Sequence, residues 1–265
     1  MTTTRASAVT SATTVGDAVD AVYVLSVKTF TERIAHIERE MAKHGIAFEF
    51  VFEDDAAELD ARLVAATFAS CGLKTSQQSL VLKHIRAWRK AAAAQLRRVL
   101  VFEDDVLLAP DFVPRFTTAM RAAAGLPVGY LVFLGGADTK VPDRYFLAPG
   151  PLVELPIATA EAYVTDLEAI RRRLDWLEKH RVSLPADHLL KHIDALLGIR
   201  QYWLTRPIVE QGSVLGIFPS VLDEHRRKHS VLFNRLRNRW SKFQRHRLRR
   251  WVVQLKAFAI KVSDK

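Results

Sequence analysis

Residues 98–105 read RVLVFEDD, and this stretch decides how the rest of the chain is read. A short continuous apolar run suits a strand buried on both faces, and here three carboxylates follow it at once. Side chains alternate along an extended chain, so Glu103 and Asp105 leave on one side and Asp104 on the other. Open α/β sheets take their ligands beyond the carboxyl ends of strands, which makes this acidic end a candidate site. Immediately upstream, Val81, His84, Ile85 and Trp88 fall at i, i+3, i+4 and i+7, predicting a helix over about 76–95 with His84 on its apolar face. Downstream, Pro110 is expected to begin another helix.

The same alternation continues outward in both directions. AVYVLSV reads as a strand, residues 31–44 as a helix closed by Gly45, and IAFEFVF as a second strand. Beyond the acidic stretch, GYLVFLGG is strand-like, and PDRYFLAPGPLVELP is expected to hold two short extended pieces around Pro149-Gly150-Pro151. AYVT leads into a helix over about 166–179, and a further helix begins near Asp187. YWLTRPIVEQG reads as a last strand, with Pro207 at an edge or bend. Strands alternating with helices predict an α/β fold with a Rossmann-like sheet and flanking helices. VFEDD occurs twice, at 51–55 and 101–105, but the flanks do not match, so the copies read as two acidic strand ends rather than a repeat.

A chain of 265 residues, 49% of them hydrophobic, can bury one substantial core. We expect a mobile N-terminal tail over 1–20, a catalytic domain over 21–222 and a basic amphipathic helical tail over 223–265. The single cysteine, Cys71, permits no internal disulfide and fits a reducing compartment. No apolar run reaches the roughly 20 residues that span a bilayer, and the first twenty residues lack a secretory apolar segment, so a cytoplasmic location is expected.

The net charge of +10 is concentrated at one end. Between Arg226 and Lys261 there are 13 Lys/Arg and no Asp/Glu, leaving 26 basic and 29 acidic residues elsewhere. Trp240, Phe243, Leu248, Trp251, Leu255 and Phe258 interrupt the basic run at spacings near three or four. That pattern suits peripheral contact with an anionic membrane surface through residues 226–261. Packing on the domain or on another subunit would use the same face, and nucleic acid is the least favoured partner.

Two carboxylates held close raise each other's pKa unless a cation lies between them, and oxygen ligands favour Mg2+ or Mn2+. Such an ion could bridge a diphosphate and neutralise the charge that develops on a leaving group. The alternative for the triplet is a solvated loop biased towards the next helix N-terminus.

Several segments, kept in order over about residues 21–216, resemble glycosyltransferase family 25. VYVLSVKTFTERIAHIEREMAKHGIAFEFVFEDD is similar to the family's opening strand, Arg-containing helix and second strand. LVLKHIRAWRKAA resembles its Ser-His helix and VLVFEDDVLLAPDF its acidic signature. TAEAYVTDLEAIRRRL, LPADHLL and RPIVEQGSVLG resemble its Tyr-containing strand and helix, its Pro-x-Asp element and its Pro-x-x-x-Gln-x-Ser ending.

The resemblance implies a GT-A type fold and a metal-dependent hexosyltransferase acting with inversion. Its donor would be a nucleotide sugar, typically a UDP-sugar such as UDP-galactose, and its acceptor a cell-surface glycan or glycolipid such as lipopolysaccharide core. It implies Glu103 and Asp105 for Mn2+ or Mg2+, with Leu25, Arg33 and Asp54 near the nucleotide and His84 on the donor loop or a phosphate. Asp187 would be the catalytic base with Glu161 in reserve, and Gln211 and Ser213 would order the donor-side loop. Each position has a plainer reading: His84 as a core residue, Arg33 as an exposed charge, Asp187 as a helix cap, and Gln211 and Ser213 as turn residues. Lys83 stands where the family has Ser, and Ser76-Gln77-Gln78-Ser79-Leu80 where it usually has Gly-Glu-Ile-Gly-Cys, which leaves open the usual sugar, a different nucleotide sugar or a weakened enzyme. A binding protein that keeps this fold without turnover, and uses its basic tail on a membrane or nucleic acid, is the alternative function.

Overall fold

The computed structural model describes residues 14–70, 72–136, 142–213, 215, 217–218 and 249–263. Cys71, residues 1–13 of the expected tail, and residues 223–248 of the expected basic tail lie outside the described residues.

The central sheet has seven strands in the order β2-β1-β3-β7-β5-β8-β6. They are β1 (Ala21–Leu25), β2 (Glu49–Val51), β3 (Arg98–Glu103), β5 (Tyr130–Phe133), β6 (Leu152–Glu154), β7 (Ala162–Asp166) and β8 (Arg200–Leu204). β1 pairs in parallel with β2 and β3, and β5 with β8, whereas β7 runs antiparallel to both β3 and β5, and β6 antiparallel to β8. Reversing twice across β7 restores the direction, so β1, β2, β3, β5 and β8 all end on one edge of the sheet. The fold is thus a mixed α/β sheet, rich in parallel pairs, with helices on both faces.

Alternation along β3 divides the core. Val99 and Val101 face a layer built from α3 (Thr75–Ala93), α6 (Leu167–Leu177) and α7 (Ala186–Leu197), while Leu100 and Phe102 face α1 (Thr31–Lys43) and α4 (Phe112–Ala123). The apolar face predicted for α3 is met by Val81, Ile85 and Trp88, all buried in the first layer. Gly45 follows α1 with φ +61, a conformation open to glycine without a Cβ penalty, and it ends the helix as expected. α2 (Ala61–Thr67) is capped by the Asp60 carboxylate.

Four expectations are corrected. Residues 14–20 do not behave as a tail, because Val15 and Val19 are buried in the second layer. Pro110 lies outside α4, which starts at Phe112 after Asp111. The first of the two extended pieces in 142–156 is a short helix, α5 (Asp143–Leu147), because Tyr145 and Phe146 turn inward to bury their rings; only β6 is extended. The last strand is two strands. Around Pro207 the chain leaves the main sheet, and β9 (Val209–Gln211) pairs with β4 (Val106–Leu108) instead.

Candidate active site

Continuing the β3 alternation past Phe102 puts Glu103 and Asp105 towards the α3 layer and Asp104 towards α1, and the contacts follow that parity. Asp104 receives Ser26 Oγ at 2.8 Å and Arg33 Nη1 at 3.0 Å. Arg33 is therefore not an exposed helix charge; it is tied to the triplet, between the rings of Phe30 and Phe218. Leu25 is in register with Glu103 at the end of β1, but its side chain is buried, so only its backbone lies open to a ligand on that edge.

Glu161 enters from the neighbouring strand. Phe102 pairs with Ala162, and the Glu103 amide donates to the Glu161 carbonyl at 2.9 Å, so the two glutamates are opposed on one face. Thr159 Oγ1 donates to the Glu161 carboxylate. A Cβ at Gly135 would press against the Glu161 carboxylate, which would have to move to admit it. The β9 turn closes the other side: Gln211 Nε2 donates to Glu103 Oε2 at 3.2 Å, the Ser213 amide to Asp105 Oδ2 at 3.0 Å, and the Gly212 amide to the Asp105 carbonyl at 2.7 Å. A Cβ at Gly212 would sit 2.6 Å from that carbonyl.

The result is a strained electrostatic arrangement. Burial, then repulsion from Asp105 and Glu161, holds the Glu103 carboxyl well above the usual range. Burial pushes Glu161 up to about 7 despite nearby backbone amides. Asp105 Oδ1 is buried without a hydrogen-bond partner among the described residues.

The other VFEDD copy is a built-in comparison. It ends β2, and its acids meet a basic stripe of α3: Arg86 forks onto Asp54 at 3.1 and 3.2 Å, Lys83 reaches Asp55 at 2.6 Å, and Lys90 reaches Glu53 at 2.9 Å. Lys83, 2% exposed, also donates to the carbonyls of Phe52 and Glu53, while Ser79 Oγ donates to the Asp54 carbonyl at 2.6 Å. The carboxylate of Asp54, expected near the nucleotide, is thus engaged by Arg86, in a backbone conformation with φ 65. Among the described residues no lysine or arginine bonds Glu103, Asp105 or Glu161. One pentapeptide therefore occurs in two states, all three acids paired with cations at β2 and only Asp104 so paired at β3.

A divalent cation fits the second state. An orphaned buried oxygen on Asp105 and the raised carboxyls of Glu103 and Glu161 are what a hard cation would relieve. No group of three His, Cys, Asp or Glu side chains among the described residues is arranged to hold a metal, so two carboxylates with substrate oxygens completing the shell is the arrangement available.

His84 is buried, its Nδ1 is 2.9 Å from the Tyr163 hydroxyl, and Trp88 Nε1 donates to the same hydroxyl at 3.0 Å. Burial, then the charge of Arg173, lowers its pKa to about 3, so the native imidazole stays neutral where an unfolded one would take a proton. Its contribution to stability is complete above pH ~6.5 and is lost as pH falls towards 3, at up to about 1.4 kcal/mol per pH unit. Urea unfolding between pH 6.5 and 4.5 should show that slope, and His84→Gln should flatten it; equal slopes would mean His84 is already charged in the native state.

Asp187 is half-buried at the start of α7, where its Oδ1 takes the His188 amide at 2.8 Å. α7 runs back along the sheet to feed β8, which brings its N-terminus to the edge where β3 and β5 end. Residues that sequence reasoning missed include Thr159, Gly135 and Gly212, which shape the pocket wall. Asp104 was placed facing away without its partners. No signal short of the strand register could have opposed Glu161 to Glu103.

Comparison with known proteins agrees with this geometry. Residues 19–124 match glycosyltransferase family 25, described as an LPS biosynthesis protein. The chain is 26% identical to the lacto-N-neotetraose biosynthesis glycosyltransferase LgtE of Neisseria gonorrhoeae over 91% of this chain and 96% of that one. It is 25% identical to the lipooligosaccharide biosynthesis protein lic2B of Haemophilus influenzae over 66% of this chain and 68% of that one. Among solved structures, the inositol-1-phosphate CTP transferase of T. maritima aligns with 84% of this chain and 97% of that one at 10% identity and a TM-score of 0.40, too distant to guide interpretation.

An α/β chain with an acidic edge and these relatives is a transferase of sugars. Its likeness to glycosyltransferase family 25 is carried by residues 19–124.

Proposed function

We propose that the chain is a metal-dependent, inverting hexosyltransferase of the GT-A type. It would move a sugar such as galactose from a UDP-sugar to the glycan of a lipooligosaccharide or lipopolysaccharide core. The observation that carries the reading is the contrast between the two acidic strand ends: every acid of the first is paired with a lysine or arginine, whereas in the second only Asp104 is, and Glu103 and Asp105 bond none among the described residues.

Glu103 and Asp105 would hold Mn2+ or Mg2+, which when bound supplies positive charge against the diphosphate of the donor. The chain's own residues do the remaining work. Arg33 fixes Asp104, so the triplet cannot swing. Gln211 and the Ser213 amide hold the Glu103 and Asp105 carboxylates in place and shut that side of the pocket to water. Leu25 and the Lys83-anchored loop at 52–55 form the floor on which a nucleotide rests.

The base must take a proton from an acceptor hydroxyl that enters from solvent, on the face away from the diphosphate. Asp187 is half-open on that edge, whereas Glu161 is enclosed by Thr159 and Gly135 and belongs with the cation-holding carboxylates. Asp187→Asn should therefore lower kcat about 100-fold or more with little change in donor KM. Steady-state kinetics with acceptor present would decide it: an unchanged kcat, with Glu161→Gln inactive, would move the base to Glu161.

The overall reading is tested by incubating the protein with a panel of nucleotide sugars and Mn2+ and measuring nucleotide release, with and without chelator. A folded chain that neither binds nor consumes any donor would leave the alternative of a binding protein on the same fold.

A further inference from the structure

The C-terminal helix α8 (Arg249–Ser263) is attached by one side only. Val253 is buried in the first core layer, Arg249 Nη2 pairs with Asp143 of α5 at 2.9 Å, and Arg250 Nη2 donates to the Thr205 carbonyl at 2.6 Å. The opposite side carries Trp251, Leu255 and Phe258 at i, i+4 and i+7, exposed at 72%, 62% and 68%. These three form one longitudinal apolar stripe, extended sideways by Val252 on the helix and accompanied by exposed Leu147 on the adjoining α5. Its surroundings are basic. Arg144, Arg206 and Lys256 are exposed, Asp143 is already paired, and the chain from Arg226 to Lys261 contains no acidic residue against 13 basic ones.

We infer that the outer face of α8 docks on an anionic lipid bilayer. Trp, Leu and Phe on one face with Lys and Arg beside them give both terms of interfacial binding: apolar side chains enter the acyl boundary while the flanking cations meet anionic headgroups. A protein partner is less well matched, since interface cores avoid surrounding lysine, and a nucleic acid would find aliphatic Leu255 and Val252 where stacking rings and phosphate donors are needed. The docked side explains what such binding achieves. Thr205 directly follows β8, and α5 follows the end of β5, so α8 is seated at the same sheet edge that gathers Glu103, Asp105 and Glu161. A bilayer on the stripe would lie beside that edge, where an acceptor anchored in the lipid could reach it.

The test is co-sedimentation with vesicles of phosphatidylglycerol mixed equally with phosphatidylcholine, against phosphatidylcholine alone. It uses the full chain and reads neither donor nor acceptor, so its failure would leave the transferase reading untouched. Wild type should bind the anionic vesicles and hardly the neutral ones. Trp251→Ser/Leu255→Ser/Phe258→Ser should weaken partition roughly 100-fold, because all three side chains face outward and only the lipid contact is lost. Leu196→Ser, at a position 60% exposed on α7, should leave partition unchanged. The inference is overturned if wild type stays in the supernatant or if the triple variant binds as wild type does. It is equally overturned if the stripe's loss abolishes self-association or RNA retention while vesicle binding is absent throughout.

Discussion

Asp105→Asn should lower sugar transfer at least ~1000-fold, about 4 kcal/mol at the barrier, while leaving the protein as stable as before or more so. The two halves of that result have one cause. Asp105 is buried against Glu103 and Glu161, its Oδ1 has no partner among the described residues, and its charge helps hold the Glu103 carboxyl well above the usual range in the absence of a cation. Asparagine keeps the shape, and its Oδ1 can still accept the Ser213 amide, but the repulsion is gone and so is the anionic oxygen needed to hold a cation against a diphosphate. Glu103→Gln should behave alike. Thermal unfolding without metal and nucleotide release with Mn2+ would be measured on the same preparations. Near-normal turnover would remove Asp105 from the reaction. A large loss of stability would instead make the cluster a structural element.

The largest effect on stability is expected at Arg173, which is fully buried. Its guanidinium forks onto Asp194 at 2.7 and 2.8 Å, with a third bond to Thr165 Oγ1 at 2.8 Å and the Trp88 ring 5.3 Å away. Asp194 also receives Gln201 Nε2 at 2.8 Å. The group thus ties α6, α7, β7 and β8 together. Removing one member leaves a bare charge in the core, so Arg173→Met or Asp194→Leu should each cost about 3–5 kcal/mol. The corresponding fall in Tm is roughly 10 °C. The double variant should recover most of the loss, because an apolar pair of similar volume leaves no charge behind. Chemical denaturation of the two singles and the double measures this coupling. Additive losses would show that packing around the site, rather than the ion pair, sets its energy.

Much of the site was legible in the residues. A strand of apolar residues followed by three acids dictates its own alternation, so Glu103 and Asp105 had to part from Asp104. Gln211 and Ser213 were singled out as organisers of a loop, and both meet the triplet. Arg33 was singled out too, but its partner Asp104 could not be read, since a helix and a strand end some seventy positions apart are joined only by packing. Pro207 signalled a bend without revealing that the chain changes sheets there. That depends on β4 being free to pair with β9, which is a property of the assembled edge.

What the chain's order of residues determined by itself is local and periodic: which segments are strands or helices, which face of each is apolar, and where acids accumulate at strand ends. Backbone geometry imposes those periods wherever the segment lies. Which acidic end keeps two carboxylates without a cationic partner among the described residues was decided only by tertiary structure. VFEDD is the same pentapeptide at 51–55 and 101–105, so no local property separates the copies. The register of β7 brings Glu161 against Glu103, while the packing of α3 lays Lys83, Arg86 and Lys90 across the first copy; at the second, Arg33 pairs with Asp104 and no lysine or arginine among the described residues bonds Glu103 or Asp105. Charge acts through distance in space, and that distance exists only once the sheet is built.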